Sequence, residues 1–340
     1  MPQKLVKRLG KGVLDVTLLP VIRYGFEPLV AKLASQFEQV AAKSVFQFDQ
    51  AATKVANQFN QTAAQIDLRS SAAANEQSRQ AQTLLRQEIV QLRTRIAMDT
   101  PANPCVHGFK VYAQTDEDGI IEDILKRLPG HSKTFIEIGC GNGLENNTHY
   151  LALKGCRGCW VDGSEDNIAF VKDGLDGLEF KNLLVQKNFV ARENIGAIIG
   201  DLCAFIGTKE PGFFSLDIDG NDLDVLAEAL KYFQPLIICT EYNAKFPPPL
   251  AIAMRYDPSH RWAGDDYHGA SLQAFCDLLV GYKLVASNLS GVNAFFVRRD
   301  HAAQFANYTP RQLYQPFREN LIDLRAEHRP SFKWLRDKLR

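Results

Sequence analysis

The sequence predicts an α/β fold, in which a seven-stranded sheet covered by helices follows a long N-terminal α-helix. After Pro104, short β-rich runs alternate with helical patterns, which is typical of a mainly parallel sheet with helices on both faces. Only Asn288 to Gly291 separate the last two runs, a spacing that suits a hairpin and gives the sheet an antiparallel C-terminal edge. Before Pro101, a repeated pattern without β-rich runs predicts one continuous helix.

The predicted helix is built on a phenylalanine repeat. Phe26, Phe37, Phe48 and Phe59 recur every eleven residues, and eleven residues complete three helical turns of about 3.67 residues each. The repeat therefore predicts an apolar stripe along one face of a long amphipathic helix. Further members of this apolar face are Ala41, Ala52, Val55, Ala63 and Ile66, followed by Leu85, Ile89, Leu92 and Ile96.

An isolated amphipathic helix of this length needs a partner for its apolar stripe. We expect a homo-oligomer formed through the helix, because the stripe is rich in alanine and has little flanking positive charge. Peripheral membrane contact is the alternative, since basic residues precede an apolar stretch, Val13 to Ile22, that is too short to span a bilayer. These basic residues are Lys4, Lys7, Arg8 and Lys11.

Changes in composition divide the chain into four predicted segments. Residues 1–30 form a basic and apolar N-terminal segment, 31–98 the amphipathic helix, 105–305 the α/β domain and 306–340 a helical C-terminal tail. The predicted strands are Thr134 to Ile138, Gly158 to Asp162, Leu183 to Lys187, Phe213 to Ile218, Leu236 to Thr240, Tyr282 to Ser287 and Val292 to Arg298.

A glycine-rich turn follows the first predicted strand. Glycine allows left-handed backbone angles and a close approach of a ligand, and open α/β sheets bind ligands at the carboxyl ends of their strands. The next strand ends at Asp162, where a carboxylate accepts hydrogen bonds from ribose hydroxyls. A dinucleotide site is the alternative, although its G-x-G-x-x-G pattern places the third glycine one residue later. The predicted cofactor-binding residues are Glu137, Gly139, Gly141, Gly143 and Asp162.

Three stretches of the sequence carry a family resemblance: Thr115 to Ile121 (TDEDGII), Glu137 to Thr148 (EIGCGNGLENNT) and Ser215 to Asp222 (SLDIDGND). Together they resemble the FkbM-type methyltransferase family. The resemblance covers most of residues 107–300 and none of the predicted N-terminal helix. It implies a class I, Rossmann-like methyltransferase fold with S-adenosylmethionine as methyl donor. It also implies O-methylation, with a glycan hydroxyl as the leading acceptor because many family members occur among genes for surface polysaccharides. Gln114 and Glu117 would close over the cofactor, with capping of the first core helix as the alternative.

Acidic residues follow two later strands. Asp217 and Asp219 end one apolar run, and Glu241 and Asn243 end the next. Neighbouring carboxylates repel each other unless a proton, a cation or a basic group lies between them. Oxygen ligands of this kind suit Mg²⁺. We therefore predict catalytic roles for Asp217, Asp219 and Glu241, and a Mg²⁺ site formed by Asp217, Glu241 and Asn243, while Asp222 is expected to cap the following helix.

His268 precedes the helix before the final hairpin and is the predicted general base, because imidazole accepts a proton near neutral pH. A structural histidine is the alternative. The leading function is an S-adenosylmethionine-dependent O-methyltransferase acting on a small-molecule or glycan acceptor. The alternatives are an NAD-dependent oxidoreductase and a non-catalytic oligomeric scaffold.

The charge balance argues against one class of partner. The 39 Lys and Arg residues equal the 39 Asp and Glu residues in number, so no excess positive charge is available for a nucleic-acid backbone. Cys156 and Cys159 are the one C-x-x-C pair, and no second pair provides zinc-like spacing. The sequence lacks a signal-peptide pattern, so we expect a cytoplasmic protein, with contact at the inner membrane face as the alternative.

Overall fold

The computed structural model describes residues 20–177, 181–322 and 329–339, with side chains from residue 28 onward except residues 63–75. Residues 1–19 of the predicted basic segment therefore lie outside the described residues, as does the side chain of Phe26. The described chain divides into two compact units between Arg79 and Gln80. None of the helices within the described ranges is both long enough and apolar enough to cross a membrane.

The first helix, α1, runs over Pro20–Asp99 and confirms the predicted long N-terminal helix. Its first part, up to Arg79, belongs to the first unit, and its last part belongs to the second. Within the second unit, Leu85, Ile89 and Leu92 pack against the core and Ile96 is buried. The helix residues from Gln80 onward are therefore part of the α/β unit. This unit begins before residue 98, where the predicted helix segment ended.

A seven-stranded sheet with the order β3-β2-β1-β4-β5-β7-β6 confirms the predicted fold class. Strand β7 is antiparallel to β5 and β6, and the other pairs are parallel. The order reverses between β1 and β4, and ligands of open α/β sheets bind at this switch point. The strands are β1 Thr134–Ile138, β2 Arg157–Asp162, β3 Leu183–Lys187, β4 Phe213–Leu216, β5 Ile237–Glu241, β6 Tyr282–Ser287 and β7 Asn293–Arg298.

Helices cover both faces of the sheet, because successive strand residues point to opposite faces and both sets are apolar. Phe135 and Trp160 face one hydrophobic cluster, and Ile136 and Val161 face the other. The helices after α1 are α2 Glu117–Lys126, α3 His149–Leu153, α4 Glu165–Gly174, α5 Ile195–Ile206, α6 Asp222–Ala229, α7 Leu272–Leu278, α8 Pro310–Leu313 and α9 Lys333–Leu339.

The C-terminal tail packs into the core of the second unit. Leu321, Phe332 and Leu335 are buried in the cluster that contains Phe135, and Leu313 is buried in the opposite cluster. Besides α8 and α9, the tail contains a short 3₁₀ helix at Glu319–Leu321. The described part of residues 306–340 therefore helps to close the hydrophobic core.

Candidate functional site

The glycine turn leaves the carboxyl end of β1 at the switch point of the sheet. Gly139, Gly141 and Gly143 have φ angles of 86°, 55° and 73°, in the left-handed region that favours glycine. A Cβ atom on Gly139 would lie 1.5 Å from the carbonyl oxygen of Asp217. Only glycine therefore allows the turn after β1 to pass the end of β4 this closely.

His149 holds the far end of the glycine turn. Its Nδ1–H donates a hydrogen bond of 2.7 Å to the carbonyl oxygen of Gly143. The imidazole is stacked on Tyr112 at a centroid separation of 3.7 Å. Burial lowers the pKa of His149 to about 4, so the ring is neutral at physiological pH.

Asp162 lies at the end of β2 and connects the glycine turn to the next helix. Its Oδ2 accepts a hydrogen bond of 2.8 Å from the Gly141 N–H. Its Oδ1 accepts hydrogen bonds from the Ser164 N–H at 2.8 Å and from the Asn167 side chain at 3.1 Å. The carboxylate is half-buried, so it reaches solvent beside the turn. Its role as a ribose ligand stays a prediction.

Glu137 has a different setting from the cofactor contact that its motif suggested. The side chain is buried, and its carboxylate accepts hydrogen bonds from the Asn146 amide, the backbone N–H groups of Asn147 and Thr148, and the Thr148 hydroxyl. Burial raises the pKa of Glu137 to about 7, although these hydrogen bonds act in the opposite direction. Glu137 therefore holds the loop after the glycine turn, and its contact with the cofactor stays a prediction.

Glu117 is also buried, within a polar network that joins α2 to the β6–β7 hairpin. Its carboxylate accepts hydrogen bonds from the Thr115 N–H and from the amides of Asn288 and Asn293. The side chain has no exposed surface, and its predicted closure over the cofactor stays a prediction.

The neighbouring segment is held by Asp118, whose Oδ2 accepts hydrogen bonds from the N–H groups of residues 111, 112 and 113 at 2.7–2.8 Å. Burial raises the pKa of Asp118 to about 6. Gln114 is half-buried in the same segment, and its backbone carbonyl accepts a hydrogen bond of 2.9 Å from the Lys110 Nζ. The cofactor role of Gln114 stays a prediction.

Three predicted catalytic acids do converge at the ends of β4 and β5. Single carboxylate oxygens of Asp217, Asp219 and Glu241 all lie within 4.8 Å of one another. Burial and mutual repulsion raise the pKa values of Asp217 and Glu241 well above the usual range, and burial also raises the pKa of Asp219. Such a group holds an additional proton or accommodates a cation.

The strand β4 ends earlier than the sequence indicated, at Leu216 instead of Ile218. Asp217 still donates its N–H to the Ile138 carbonyl at 3.0 Å, but Asp219 adopts a φ of 55° and lies in a turn. Asp222 holds this turn by accepting hydrogen bonds from the N–H groups of Ile218 and Gly220, both at 2.9 Å. Its structural role is thus to fix the turn, in place of the predicted side-chain cap.

Asn243 is engaged with the loop that follows β5. Its Nδ2 donates to the backbone carbonyls of Asp266 and His268, both at 3.0 Å, and its Oδ1 accepts from the Lys245 N–H at 3.2 Å. Through these contacts the amide holds the loop. Asp219 is the third acid whose oxygen lies close to those of Asp217 and Glu241 and could share a cation with them. A metal contact by Asn243 stays a prediction.

His268 lies beside the acidic cluster. Its Nδ1 is 3.9 Å from Glu241 Oε2, a buried oxygen without a hydrogen-bond partner. Burial lowers the pKa of His268 although nearby acids oppose the shift, so the imidazole is neutral at pH 7 and is able to accept a proton. The general-base role of His268 stays a prediction.

A cavity of about 210 Å³ adjoins His268 in the loop between β5 and α7. The loop is closed at its base, where the Asn243 N–H donates to the Ala270 carbonyl at 2.8 Å and the Ser271 hydroxyl donates to the Leu250 carbonyl at 2.7 Å. The cavity is lined by both polar and apolar side chains, including Asn243, Phe246, Met254, Asp266, Tyr267 and His268.

His260 is a site residue that the sequence did not reveal. Its Nε2 is buried without a hydrogen-bond partner, and its ring lies against Gly220, where a Cβ would be 2.4 Å from the His260 Cδ2. The charge of a protonated His260 would act on Asp219 and lower its pKa. The only signal was a histidine in a long polar loop, and a sequence pattern does not indicate how such a loop folds back.

No protein-family model matches this sequence, and the comparison with curated proteins found no match. Similar solved structures include the N-terminal domain of EvdMO1 with SAH and D-fucose, at 13% identity over 62% of this chain and 96% of that chain, TM-score 0.36. The glycopeptide N-methyltransferase MtfA with S-adenosylmethionine is 13% identical over 56% of this chain and 96% of that chain, TM-score 0.34. A SAM-dependent methyltransferase from Aquifex aeolicus is 12% identical over 52% of this chain and 89% of that chain, TM-score 0.29. At this level of similarity the fold assignment depends on the strand order itself.

Proposed function

We propose that this protein transfers a methyl group from S-adenosylmethionine to a hydroxyl of a glycan or related metabolite. The observation that carries the proposal is the arrangement at the carboxyl edge of the sheet. The glycine turn and Asp162 follow β1 and β2, and a cluster of acids with His268 lies at the ends of β4 and β5. Donor and acceptor groups on the two sides of the switch point would meet between them.

The donor half of the site is held in shape by the protein's own hydrogen bonds. Asp162 connects the Gly141 N–H to the start of α4, so a ribose would meet a carboxylate that is already oriented. Because the methyl group is carried on a sulfonium, transfer needs alignment of donor and acceptor more than covalent chemistry by the protein. Preorganisation of this edge is therefore the main contribution that we assign to the donor half.

The acceptor half supplies a base. Neutral His268 would take the proton from the acceptor hydroxyl, and the nearby Asp219 carboxylate would stabilise the resulting imidazolium. The half-exposed rings of Trp262 and Tyr267 accompany His268 in this loop. The FkbM-type resemblance and these rings both favour a sugar-containing acceptor, since flat aromatic faces pack against the apolar faces of large ligands.

We further propose that Asp217, Asp219 and Glu241 bind Mg²⁺. Their oxygen donors, their spacing and the unpartnered Glu241 Oε2 fit a hard cation. A bound Mg²⁺ would polarise the acceptor hydroxyl and favour its deprotonation. In the absence of a cation, the raised pKa values let the cluster retain a proton instead.

Two binding measurements test the donor assignment. Isothermal titration with S-adenosylhomocysteine and with NAD should show tight binding of the first only, and the Asp162→Ala variant should weaken this binding. Tight NAD binding without S-adenosylhomocysteine binding would replace the proposal with an oxidoreductase. Binding of neither ligand to the folded protein would favour a non-catalytic scaffold.

A transfer assay then tests the acceptor. Radiolabelled S-adenosylmethionine is incubated with hydroxyl-bearing glycans in the presence of Mg²⁺ or of a chelator. Label on a glycan oxygen supports the proposed reaction, and loss of transfer in the chelator supports the metal role. Transfer to nitrogen acceptors alone would contradict O-methylation.

A further inference from the structure

The helix α1 carries an unpartnered apolar face in the first unit. All side chains described between residues 28 and 62 are solvent-exposed. Phe37, Phe48 and Phe59, which we call the phenylalanine stripe, are 74%, 76% and 73% exposed. Single apolar side chains are often exposed at scattered surface positions, but large aromatic side chains repeated along one exposed face indicate an interaction surface.

The stripe contains hollows of a suitable shape for another helix. Between Phe48 and Phe59 the surface is formed mainly by small side chains, so a shallow groove lies between two projecting rings. Side chains of a second helix would fill such a hollow, as knobs fill holes in helical supercoils. The groove is lined by Phe48, Ala51, Ala52, Val55, Ala56, Phe59 and Asn60.

We propose that this face binds a second copy of the same chain, with the two helices parallel and in register. An eleven-residue repeat, at about 3.67 residues per turn, keeps the stripe in contact through a right-handed supercoil. In this register each phenylalanine of one copy would lie beside the same phenylalanine of the other. The same surface on both copies closes a symmetric assembly.

The charges beside the stripe select the parallel orientation. Glu38 and Asp49, the acidic flank, each follow a stripe phenylalanine by one residue and lie about 100° around the helix from it. Lys43 and Lys54, the lysine flank, lie about 130° away on the other side. Opposite flanks face each other in a parallel pair, whereas like flanks face each other in an antiparallel pair. Acid therefore meets lysine only in the parallel arrangement.

The same charges argue for a protein partner over a lipid surface. Between residues 28 and 62 the helix carries Lys32, Lys43 and Lys54 against Glu38 and Asp49, so its charge is close to balanced. Helices that lie on anionic membranes have a polar face rich in lysine and arginine. The remaining polar positions of this stretch are largely glutamine and asparagine. These uncharged polar side chains suit the solvent-facing side of a helical assembly.

The first experiment compares two phenylalanines on opposite faces by sedimentation velocity of the full-length chain over a range of concentrations. Phe48→Gln should weaken self-association by roughly 10- to 100-fold, because it removes one buried ring from each copy. Phe46→Gln is the matched control, since Phe46 is 63% exposed but lies about 160° from the stripe. Unchanged affinity for S-adenosylhomocysteine verifies that both variants are folded.

A second experiment reverses one flank at a time. Glu38→Lys with Asp49→Lys gives a chain with two basic flanks, and Lys43→Glu with Lys54→Glu gives a chain with two acidic flanks. Each variant alone should associate less tightly than the wild type, and an equimolar mixture should recover hetero-association. Self-association of both variants at the wild-type level would overturn the parallel arrangement.

Three results would overturn the proposal itself, two from the first experiment and one from sedimentation with anionic vesicles. These are a full-length protein that stays monomeric at its highest soluble concentration, equal weakening by the Phe46 and Phe48 variants, and stripe-dependent co-sedimentation of a monomer with anionic vesicles. The last result would assign the stripe to a lipid surface. Concentration-dependent mass that depends on Phe48 and not on Phe46 would support the proposal.

Discussion

Replacement of Glu137 by glutamine separates a structural role from a cofactor contact. The glutamine keeps the size of the side chain but offers one acceptor oxygen in place of two. In the wild-type protein, one oxygen accepts from the Asn147 N–H and the other from Asn146 and Thr148. The amide NH₂ of Glu137→Gln must therefore face at least one of these donors in a buried position.

The expected cost follows from these contacts. Hydrogen bonds to a charged group contribute about 1.5–3 kcal/mol each, and a buried donor left without a partner adds a penalty of similar size. Relief from burying the carboxylate charge offsets part of this loss. We expect Glu137→Gln to lower the free energy of unfolding by about 2–4 kcal/mol, which corresponds to a drop of roughly 5–15 °C in melting temperature for a unit of this size.

The assay is chemical denaturation together with titration of S-adenosylhomocysteine below the melting temperature. Glu145→Gln is the matched control, because Glu145 is an exposed acid in the same loop whose only ion pair, with Lys110, is 3.9 Å long. The control should shift stability by less than about 0.5 kcal/mol. If Glu137→Gln unfolds like the wild type but loses donor affinity, Glu137 contacts the donor and the structural interpretation is wrong.

Three further predictions concern ligand binding, turnover and pH. Asp162→Ala should weaken S-adenosylhomocysteine binding by about 1.5–3 kcal/mol, roughly 10- to 100-fold, in calorimetry; unchanged affinity in a folded variant would remove Asp162 from the donor site. Asp217→Asn should abolish turnover in the transfer assay with almost unchanged donor affinity, and an equal loss of donor affinity would refute its acceptor-side role. Burial raises the pKa of Asp116 to about 7, so its contribution to stability is fully present below its unfolded pKa and is lost as pH rises through about 7. The melting temperature should accordingly fall between about pH 4 and pH 7, and Asp116→Asn should reduce this slope; equal slopes would contradict the raised pKa.

Strand positions were predictable because they depend on local patterns. The bounds of β1, β3 and β6 agree with the apolar runs that turn residues delimit. The convergence of Asp217 and Glu241 was also predictable, since the carboxyl ends of parallel strands share one edge of the sheet. The sequence order of β4 and β5 alone did not indicate that they are neighbours; the resemblance implied it, and the observed strand order confirms it.

The roles of individual acids were not predictable in the same way. Alternation along β1 indicates that Glu137 faces one side of the sheet, but not that residues 146–148 fold over it and donate hydrogen bonds to its carboxylate. Glu117 meets Asn288 across 171 residues of sequence, and such contacts leave no periodic signal. A motif therefore suggests which acids belong to a site, but it does not reveal which of them become buried and hydrogen-bonded within the folded protein.

The closed base of the loop between β5 and α7 has an evolutionary consequence. The hydrogen bonds from Asn243 to Ala270 and from Ser271 to Leu250 hold the base of the segment closed, so changes at its cavity-lining residues need not open it. A lineage could therefore exchange the residues that line the cavity at His268 while the glycine turn and Asp162 stay as inherited. New acceptors would then arise by changes in one loop, and the methyl donor would remain the same throughout.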